Sequence, residues 1–594
     1  MPRKIIKSKY FVEDELVETI GEVSTDEVKD WQSNENLKYV GKEIPRKDGY
    51  DKVSGSAVYT ADKVLPNMTH AKILRCSLPH ASIKKIITKK AKDLPGVLAV
   101  ITHENTQQIP WYYNTSFLFD PHLRYQGDEV ACVAAESEII AEQAIRMIEV
   151  EYEELPFELD SEKSMKPEAV KIHDWGNIIR GRPFTDKRGD IEKGFAEADV
   201  IVEDLFSTQV VVHNPLEYHC SVVNWEGSKL TIWDSTQYVF GVRDTIAESL
   251  GIPSSNVRVI KEHMGGGFGS KLETGKYTVM AALLAKEIGR PVKITMDRKE
   301  MNLAVGNRPN SVQKLKVGAK NDGTLVAMSH YAFGTVGGYP SGAGCSWPFR
   351  TLYKCKNISV EEYSVVTNAG KARPMRAPGY VQGIFAFEQI IDELAEKIGM
   401  DPLEFRLKNY TDTDPTSDLP YTSKKLKEAY VKGAVAIGWK ERRSPAGYGN
   451  GSLKQGIGMA SQIWWGGGGP TSFATLKLNA DGSLNILSGT QDIGTGTYTA
   501  LAIIAAEVLD IPVDRIQVTL GDTETCPIAS ISGGSLTIPS VTPAVRDAAE
   551  QIKSKLISGA AAVLEVPEEK IIYAEGVLKV KEDESKQLSI LELM

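Results

Sequence analysis

Four short runs of small residues carry the chemical reading of this chain. His263-Met264-Gly265-Gly266-Gly267-Phe268-Gly269-Ser270-Lys271 follows the strand-like NVRVI and precedes a helical pattern. Pro374-Met375-Arg376-Ala377-Pro378-Gly379 adds a positive charge that does not titrate. Gln491-Asp492-Ile493-Gly494-Thr495-Gly496-Thr497 again runs into a helix, and Ser530-Ile531-Ser532-Gly533-Gly534-Ser535 is the fourth run. Glycine before a helix lets the backbone approach an anion closely, with N–H groups aimed at it. Each run alone reads equally well as a turn. Four together, with one fixed cation, point to a large buried anion gripped by backbone amides.

The common nucleotide templates do not fit. The phosphate-loop pattern G-x-x-x-x-G-K-[ST] fails because Ser270 precedes Lys271 and Leu272 follows it. The dinucleotide fingerprint fails on glycine spacing and lacks a βαβ context. Classical metal ligation is also unsupported. The six cysteines (Cys76, Cys132, Cys220, Cys345, Cys355, Cys526) form no CxxC pair, and the nine histidines form no HExxH. The cysteines read as reduced and buried. With 69 Lys+Arg against 78 Asp+Glu, the net charge of −9 argues against nucleic acid or anionic lipid as partner. A composition that is 42% hydrophobic and 25% charged is that of a globular protein. The first residues lack the apolar core of a secretory signal, and no stretch is apolar enough to span a membrane, so the expected location is the cytoplasm.

The elements that must position these loops are legible in part. Residues 1–38 are charged and poorly periodic, and are expected to form an extension with little structure of its own. SAVYTADKV, THAKILRCS and GVLAVIT read as strands, and ESEIIAEQAIRM as an amphipathic helix that runs into a strand. Helices are expected over 240–251, 274–289 and 384–399. FATLKLNADGSLNILSG carries a hairpin signal at Asn479-Ala480-Asp481-Gly482. The order strand, glycine loop, helix recurs in 220–290 and 470–510, which hints at two related lobes without a clean repeat. The final SKQLSILELM reads as the start of a helix.

The order GGGFGSK, TNAGKARPMRAPG, QDIGTGTYT and SISGGS resembles the molybdopterin-binding subunit of the xanthine dehydrogenase / aldehyde oxidase family. The earlier VGKEIPRKDGYDKVSGSAVYTADKVLP, HAKILRCSLPHA and LRYQGDEVACVAAES resemble that family's hammerhead domain. The resemblance covers nearly everything from residue 39 onward. It implies an α+β chain: an extension at 1–38, an α/β hammerhead domain at 39–157, and a two-lobed α+β molybdopterin-binding region at 170–435 and 450–594, the second part incomplete. It also implies that the pterin dithiolene holds the molybdenum, which accounts for the missing Cys/His cluster.

Residue by residue, the resemblance places Gln237 where the family sets a glutamine amide beside the molybdenum. Gly267, Phe268 and Gly269 would offer backbone contacts, and Arg376 matches the family's cofactor-site arginine. Gly494, Thr495 and Gly496, with Gly533, Gly534 and Ser535, would hold the pterin or its phosphate. Leu272 and Pro378 would line the substrate pocket. The cofactor is expected in its cytosine dinucleotide form. A 2Fe–2S subunit and an FAD subunit are expected to carry electrons away, because the chain has no cysteine cluster. The implied reaction is oxidation of an aldehyde, or of an N-heteroaromatic carbon, with oxygen from water.

Two departures bear on this. Purine-oxidising members carry a glutamate where this chain has Leu272, and a pocket arginine expected about thirty residues before Arg376 is absent from Tyr339-Pro-Ser-Gly-Ala-Gly-Cys345. The family's catalytic glutamate lies in a Gly-x-Gly-Glu motif, and none follows Ser535. The expectation is that a separate polypeptide supplies that carboxylate, or that the chain alone is inactive; Glu507 and Glu524 are conceivable substitutes. Three alternatives stay open: a truncated or split subunit that binds cofactor or partners without turnover, a xanthine or purine dehydrogenase subunit, and a nucleotide-binding enzyme built on GGGFGSK.

Overall fold

The computed structural model describes residues 3–12, 15–24, 31–32, 35–421, 423–442, 451–464, 466–469 and 472–594. Its central feature is a seven-stranded mixed sheet. In chain order the strands are β1 (Thr69–Arg75), β2 (Val97–Thr102), β3 (Glu129–Ala135), β4 (Cys220–Glu226), β5 (Lys229–Asp234), β6 (Val257–Ile260) and β7 (Val292–Thr295). Their spatial order is β6-β5-β4-β7-β1-β3-β2. Thr69 to Ala71 of β1 pair in parallel with Val292 to Ile294 of β7, so the 39–157 region shares one sheet with the lobe that follows it. The strands are short, β-branched and buried on both faces, as in Val222, Val223, Ile232 and Val259.

The first lobe is built from the β4–β5 hairpin, helix α1 (Val239–Leu250), a 3₁₀ turn at Ser254–Asn256, and β6 lying parallel to β5. The second lobe repeats this plan. The hairpin β8 (Thr475–Leu478) and β9 (Leu484–Ser488) is followed by helix α2 (Thr497–Leu509), a 3₁₀ turn at Val513–Arg515, and β10 (Ile516–Leu520) parallel to β9. The repeat is therefore real: Ser-Thr-Gln237 precedes α1 as Gly-Thr-Gln491 precedes α2, and LGIPSSNV answers LDIPVDRI. The two units meet edge to edge through the bridge Ile260–Asp522, where Lys261 N donates to Gly521 O at 2.8 Å. This junction brings the loops after β6 and β10, which are the GGGFGSK and SISGGS runs, to the same place.

The expected helices form at Val239–Leu250, Lys276–Ile288 and Tyr380–Ile398, each ending at a glycine in the left-handed region (Gly251, Gly289, Gly399). A separate five-stranded sheet packs on Tyr380–Ile398 through Ile390, Ile391 and Leu394. The six cysteines are free and buried. Among the described residues no helix is long and apolar enough to cross a membrane.

Three expectations need correction. The N-terminal region is structured: Arg3–Val12 and Glu15–Ser24 form an antiparallel hairpin. Trp31 and Tyr39 pack against the core of the second lobe. Both hairpin runs are rich in Ile, Val, Thr and Tyr, and this local strand preference outweighs their charge. SAVYTADKV is not a strand. Asp62 Oδ2 accepts from Tyr59 N at 2.9 Å and bends Thr60–Asp62 into a 3₁₀ turn, a local bond that competes with ladder pairing. SKQLS belongs to the strand Asp583–Ser589, with only Ile590–Leu593 helical.

Candidate molybdopterin site

Gln237 is the hub of the site. Its side chain is buried and doubly bonded: Oε1 accepts from Gly269 N at 2.8 Å and Nε2 donates to Ser532 O at 2.7 Å. Its backbone repeats the bridge, with N donating to Lys271 O and O accepting from Ser532 N. One glutamine thus ties the GGGFGSK loop of the first lobe to the SISGGS loop of the second. One amide hydrogen of Nε2 remains for a ligand.

The other runs join this hub. Arg376 N donates to Phe268 O at 2.8 Å, and a Cβ on Gly269 would lie 2.0 Å from Pro374 O, so only glycine permits that approach. Phe268 sits at φ 55, a left-handed conformation that costs a non-glycine residue about 1–3 kcal/mol, and it is 43% exposed. The Arg376 side chain is exposed and its guanidinium has no protein partner among the described residues; Pro378 is exposed beside it. Ser532 Oγ donates to Gln491 O, which brings in the fourth run. Leu272 is half-buried against Gly533, where an added Cβ would lie 3.0 Å from Leu272 Cδ2. Trp464, which the sequence reading missed, donates to Gly534 O at 3.0 Å and packs on Tyr380.

The 491–497 loop differs from expectation in one respect. Its amides do not all face outward: Asp492 Oδ1 accepts from Gly494 N at 2.7 Å and, more weakly, from Gly496 N at 3.4 Å. A carboxylate already inside the loop satisfies those donors. What the loop presents instead is space, since a Cβ on Gly494 or Gly496 would meet nothing within 4 Å. Behind it lie Lys261, whose buried ammonium donates to Asp492 O, and Arg46, which donates to Gly494 O at 2.9 Å. Burial lowers the Lys261 pKa to about 8 even with Asp492 beside it.

A large polar group fits where these loops meet. Among the described residues Gln491 Oε1 and Ser530 Oγ are buried without a protein partner, an arrangement that is costly unless something else bonds them. With the open Gly494–Gly496 face and the unpaired Arg376, they match an anionic, many-donor cofactor. A protein-ligated metal does not fit as well. His330, Cys345 and Glu362 cluster in the interior, but Gln313 Nε2 donates to Ser311 Oγ and Gln382 O, which fixes its Oε1 as acceptor. His330 Nε2 must then donate to that oxygen at 3.2 Å, so it offers no lone pair toward Cys345. Glu362 already accepts from Cys345 N, Ser346 N and Ser346 Oγ.

Neither substitute carboxylate is free to act as a base. Glu507 accepts from the backbone N–H groups of Lys38, Tyr39 and Val40 at 2.7–3.0 Å, anchoring the chain before the hammerhead to α2. Glu524 is 49% exposed and paired with Arg258 and Lys229. Glu273, next to Leu272, is equally committed. Burial would raise its pKa, but Lys371 and Arg373 outweigh this and hold it near 2.

Residues 172–410 and 432–594 match models of the molybdopterin cofactor-binding domain, and 54–156 match the aldehyde oxidase and xanthine dehydrogenase a/b hammerhead domain. The xanthine dehydrogenase molybdenum-binding subunit of Escherichia coli is 32% identical over 578 residues, covering 92% of this chain and 76% of that protein. The chain belongs to the xanthine dehydrogenase / aldehyde oxidase family of molybdenum-binding subunits. It is a molybdopterin-dependent oxidoreductase subunit. The aldehyde oxidoreductase molybdenum-binding subunit PaoC of Escherichia coli is 31% identical, covering 88% of this chain and 71% of that protein. The fold matches CO dehydrogenase from Oligotropha carboxidovorans with a TM-score of 0.80 at 27% identity, over 94% of this chain and 76% of that one. The molybdenum subunit thus spans about three quarters of its relatives' length. These likenesses give no support to a separate polypeptide completing its cofactor-binding region.

Proposed function

We propose that this molybdenum subunit oxidises an aldehyde, with its cofactor seated among Gln237, the 265–271 loop, Arg376, the 491–497 loop and the 530–535 loop. The observation that carries this reading is the hydrogen-bond chain through Gln237 that closes four loops near the Arg376 guanidinium, Gln491 Oε1 and Ser530 Oγ, none of which has a partner among the described residues. When bound, the cofactor supplies oxidation of a carbon with oxygen from water. The protein's part is to hold and orient. The remaining Gln237 N–H would be a fixed donor available to the cofactor, and such donors stabilise developing charge without reorganising. Arg376 supplies a cation for an anionic edge of cofactor or substrate. Gly267, Phe268 and Gly269 would offer backbone contact to the bound metal centre, and Gly494, Thr495, Gly496, Gly533, Gly534 and Ser535 would hold the pterin. The cytosine dinucleotide form is the one we assign to it.

Electrons would leave through a 2Fe–2S subunit and an FAD subunit, since the six buried cysteines are scattered along the sequence without the spacing of a cluster motif. An aldehyde is favoured over a purine by Leu272 and Pro378. Leu272 presents hydrocarbon where a purine needs a carboxylate, and the adjacent Glu273 is held by Lys371 and Arg373. A polar ligand edge buried without partners costs about 1–3 kcal/mol per group, so two missing partners amount to roughly 10²- to 10⁴-fold in specificity. The test is kcat/KM for benzaldehyde against xanthine on the complex purified with its partner subunits. Benzaldehyde should be preferred; preference for xanthine would mean that other residues read the purine.

A further inference from the structure

Beneath the GGGFGSK loop lies a buried ion pair. Lys271 Nζ donates to Glu217 Oε2 at 2.9 Å and to Glu217 O at 3.1 Å, with the two side chains 0% and 4% exposed. The same Oε2 accepts from Gly265 N at 2.9 Å and from Ser235 Oγ at 3.3 Å. Glu217 N in turn donates to Gly265 O at 3.1 Å. One carboxylate therefore grips both ends of the loop, Gly265 at its start and Lys271 at its finish. The approach is tight enough that a Cβ on Gly265 would lie 2.6 Å from Glu217 Cβ.

A buried ion pair contributes little stability compared with apolar side chains of similar size, so its energy does not explain it. Geometry does. Lys271 O receives Gln237 N at 2.8 Å and Thr236 Oγ1 at 3.3 Å, while Gly269 N reaches Gln237 Oε1. Whatever fixes the two ends of the loop also fixes the amide at the hub. Resting on the cofactor placement proposed above, we infer that Glu217 and Lys271 are a positioning pair that sets the loop's shape and, through Lys271 O and Gly269 N, the direction of the Gln237 amide. Of the polar atoms nearby, Glu217 Oε1 and His219 Nδ1 are buried without a partner among the described residues. Asp234 is bonded to Ser221 and Thr278, and His219 Nε2 faces Ser270 O. Burial pulls the Lys271 pKa down and Glu217 opposes it, so removing either partner alone leaves an uncompensated group in the interior.

The test uses the assembled holoenzyme with three changes: Lys271→Met, the double variant Glu217→Leu/Lys271→Met, and Glu217→Asp. Lys271→Met alone should fold poorly or lose molybdenum. The double variant removes both charges and should regain most of the melting temperature that Lys271→Met loses, short of wild type because Gly265 N and Ser235 Oγ lose their acceptor. Its kcat should nevertheless fall about 10- to 100-fold with KM little changed, and the visible circular dichroism of the molybdenum centre should shift. Loss of molybdenum from a natively folded double variant supports the inference equally. Glu217→Asp keeps the charge but shortens the reach, and should lower kcat in a protein that folds. Wild-type kcat and visible spectrum in the double variant or in Glu217→Asp would overturn the positioning role. A wild-type complex without molybdenum would overturn the functional reading, and this inference with it.

Discussion

Replacing Gln237 with leucine tests the hub directly, because it keeps most of the side-chain volume and deletes only the amide. Two contacts are lost, at 2.8 Å to Gly269 N and 2.7 Å to Ser532 O. Gly269, Ser532 and Gln237 itself are all buried, so the orphaned N–H and C=O have little access to water. Each buried group left unpaired costs about 1–3 kcal/mol, and partial relaxation of the glycine loops brings the sum to about 2–4 kcal/mol. At about 1.4 kcal/mol per tenfold, the fraction of molecules with both loops docked falls by roughly 30- to 1,000-fold if docking is near balance. The loss of a transition-state donor points to the same range. The assay is molybdenum per chain by mass spectrometry together with kcat/KM on the holoenzyme. Both should fall in Gln237→Leu, while Gln237→Glu, which keeps the acceptor for Gly269 but faces Ser532 O with an oxygen, should be nearly as impaired. Unchanged loading and a kcat/KM within about twofold would show that the amide neither closes the loops nor serves the cofactor.

Two further outcomes follow from the surrounding groups. Glu507→Ala should leave turnover per molybdenum within about twofold while exposing residues 35–48 to proteolysis, because Glu507 holds backbone N–H groups and not a reacting proton; a hundredfold loss of turnover with an intact segment would make it the base. His173, buried against Trp175 with Nε2 donating to Gly338 O at 2.9 Å, has its pKa lowered by burial to about 4. The folded chain then takes up this proton later than the unfolded chain, so the contribution is intact above the ordinary histidine pKa of about 6.5 and is lost as pH falls toward about 4, by about 3 kcal/mol in all. His173→Phe should flatten the fall in melting temperature over that interval, and an unchanged slope would contradict this.

What the sequence reveals and what it hides divide along physical lines. Glycine runs ahead of helices announce close backbone approach, and the structure brings all four to one place. The repeated lobe is visible in Ser-Thr-Gln237 and Gly-Thr-Gln491, but the inserted Gly-Thr-Gly blurs the alignment of the helices behind them. The inward turn of the Gly494 and Gly496 amides is a local effect that the sequence reading passed over, because Asp492 bonds backbone N–H groups only two and four residues on. The pair Glu217 and Lys271 is separated by 54 residues and leaves no periodic trace. Nor does the segment around Trp31 and Tyr39, whose order comes from a helix nearly five hundred residues later.

The measurement that bears most directly on the whole account is the molybdenum and pterin content of the purified chain and of Arg376→Ala beside it. The guanidinium of Arg376 is exposed at the junction of the loops and has no protein partner among the described residues, so its loss should not disturb the fold. Wild type from a molybdenum-replete host should carry about one molybdenum and one pterin per chain, and Arg376→Ala should lose most of both. A wild-type chain that folds and assembles without molybdenum or pterin would contradict the central claim.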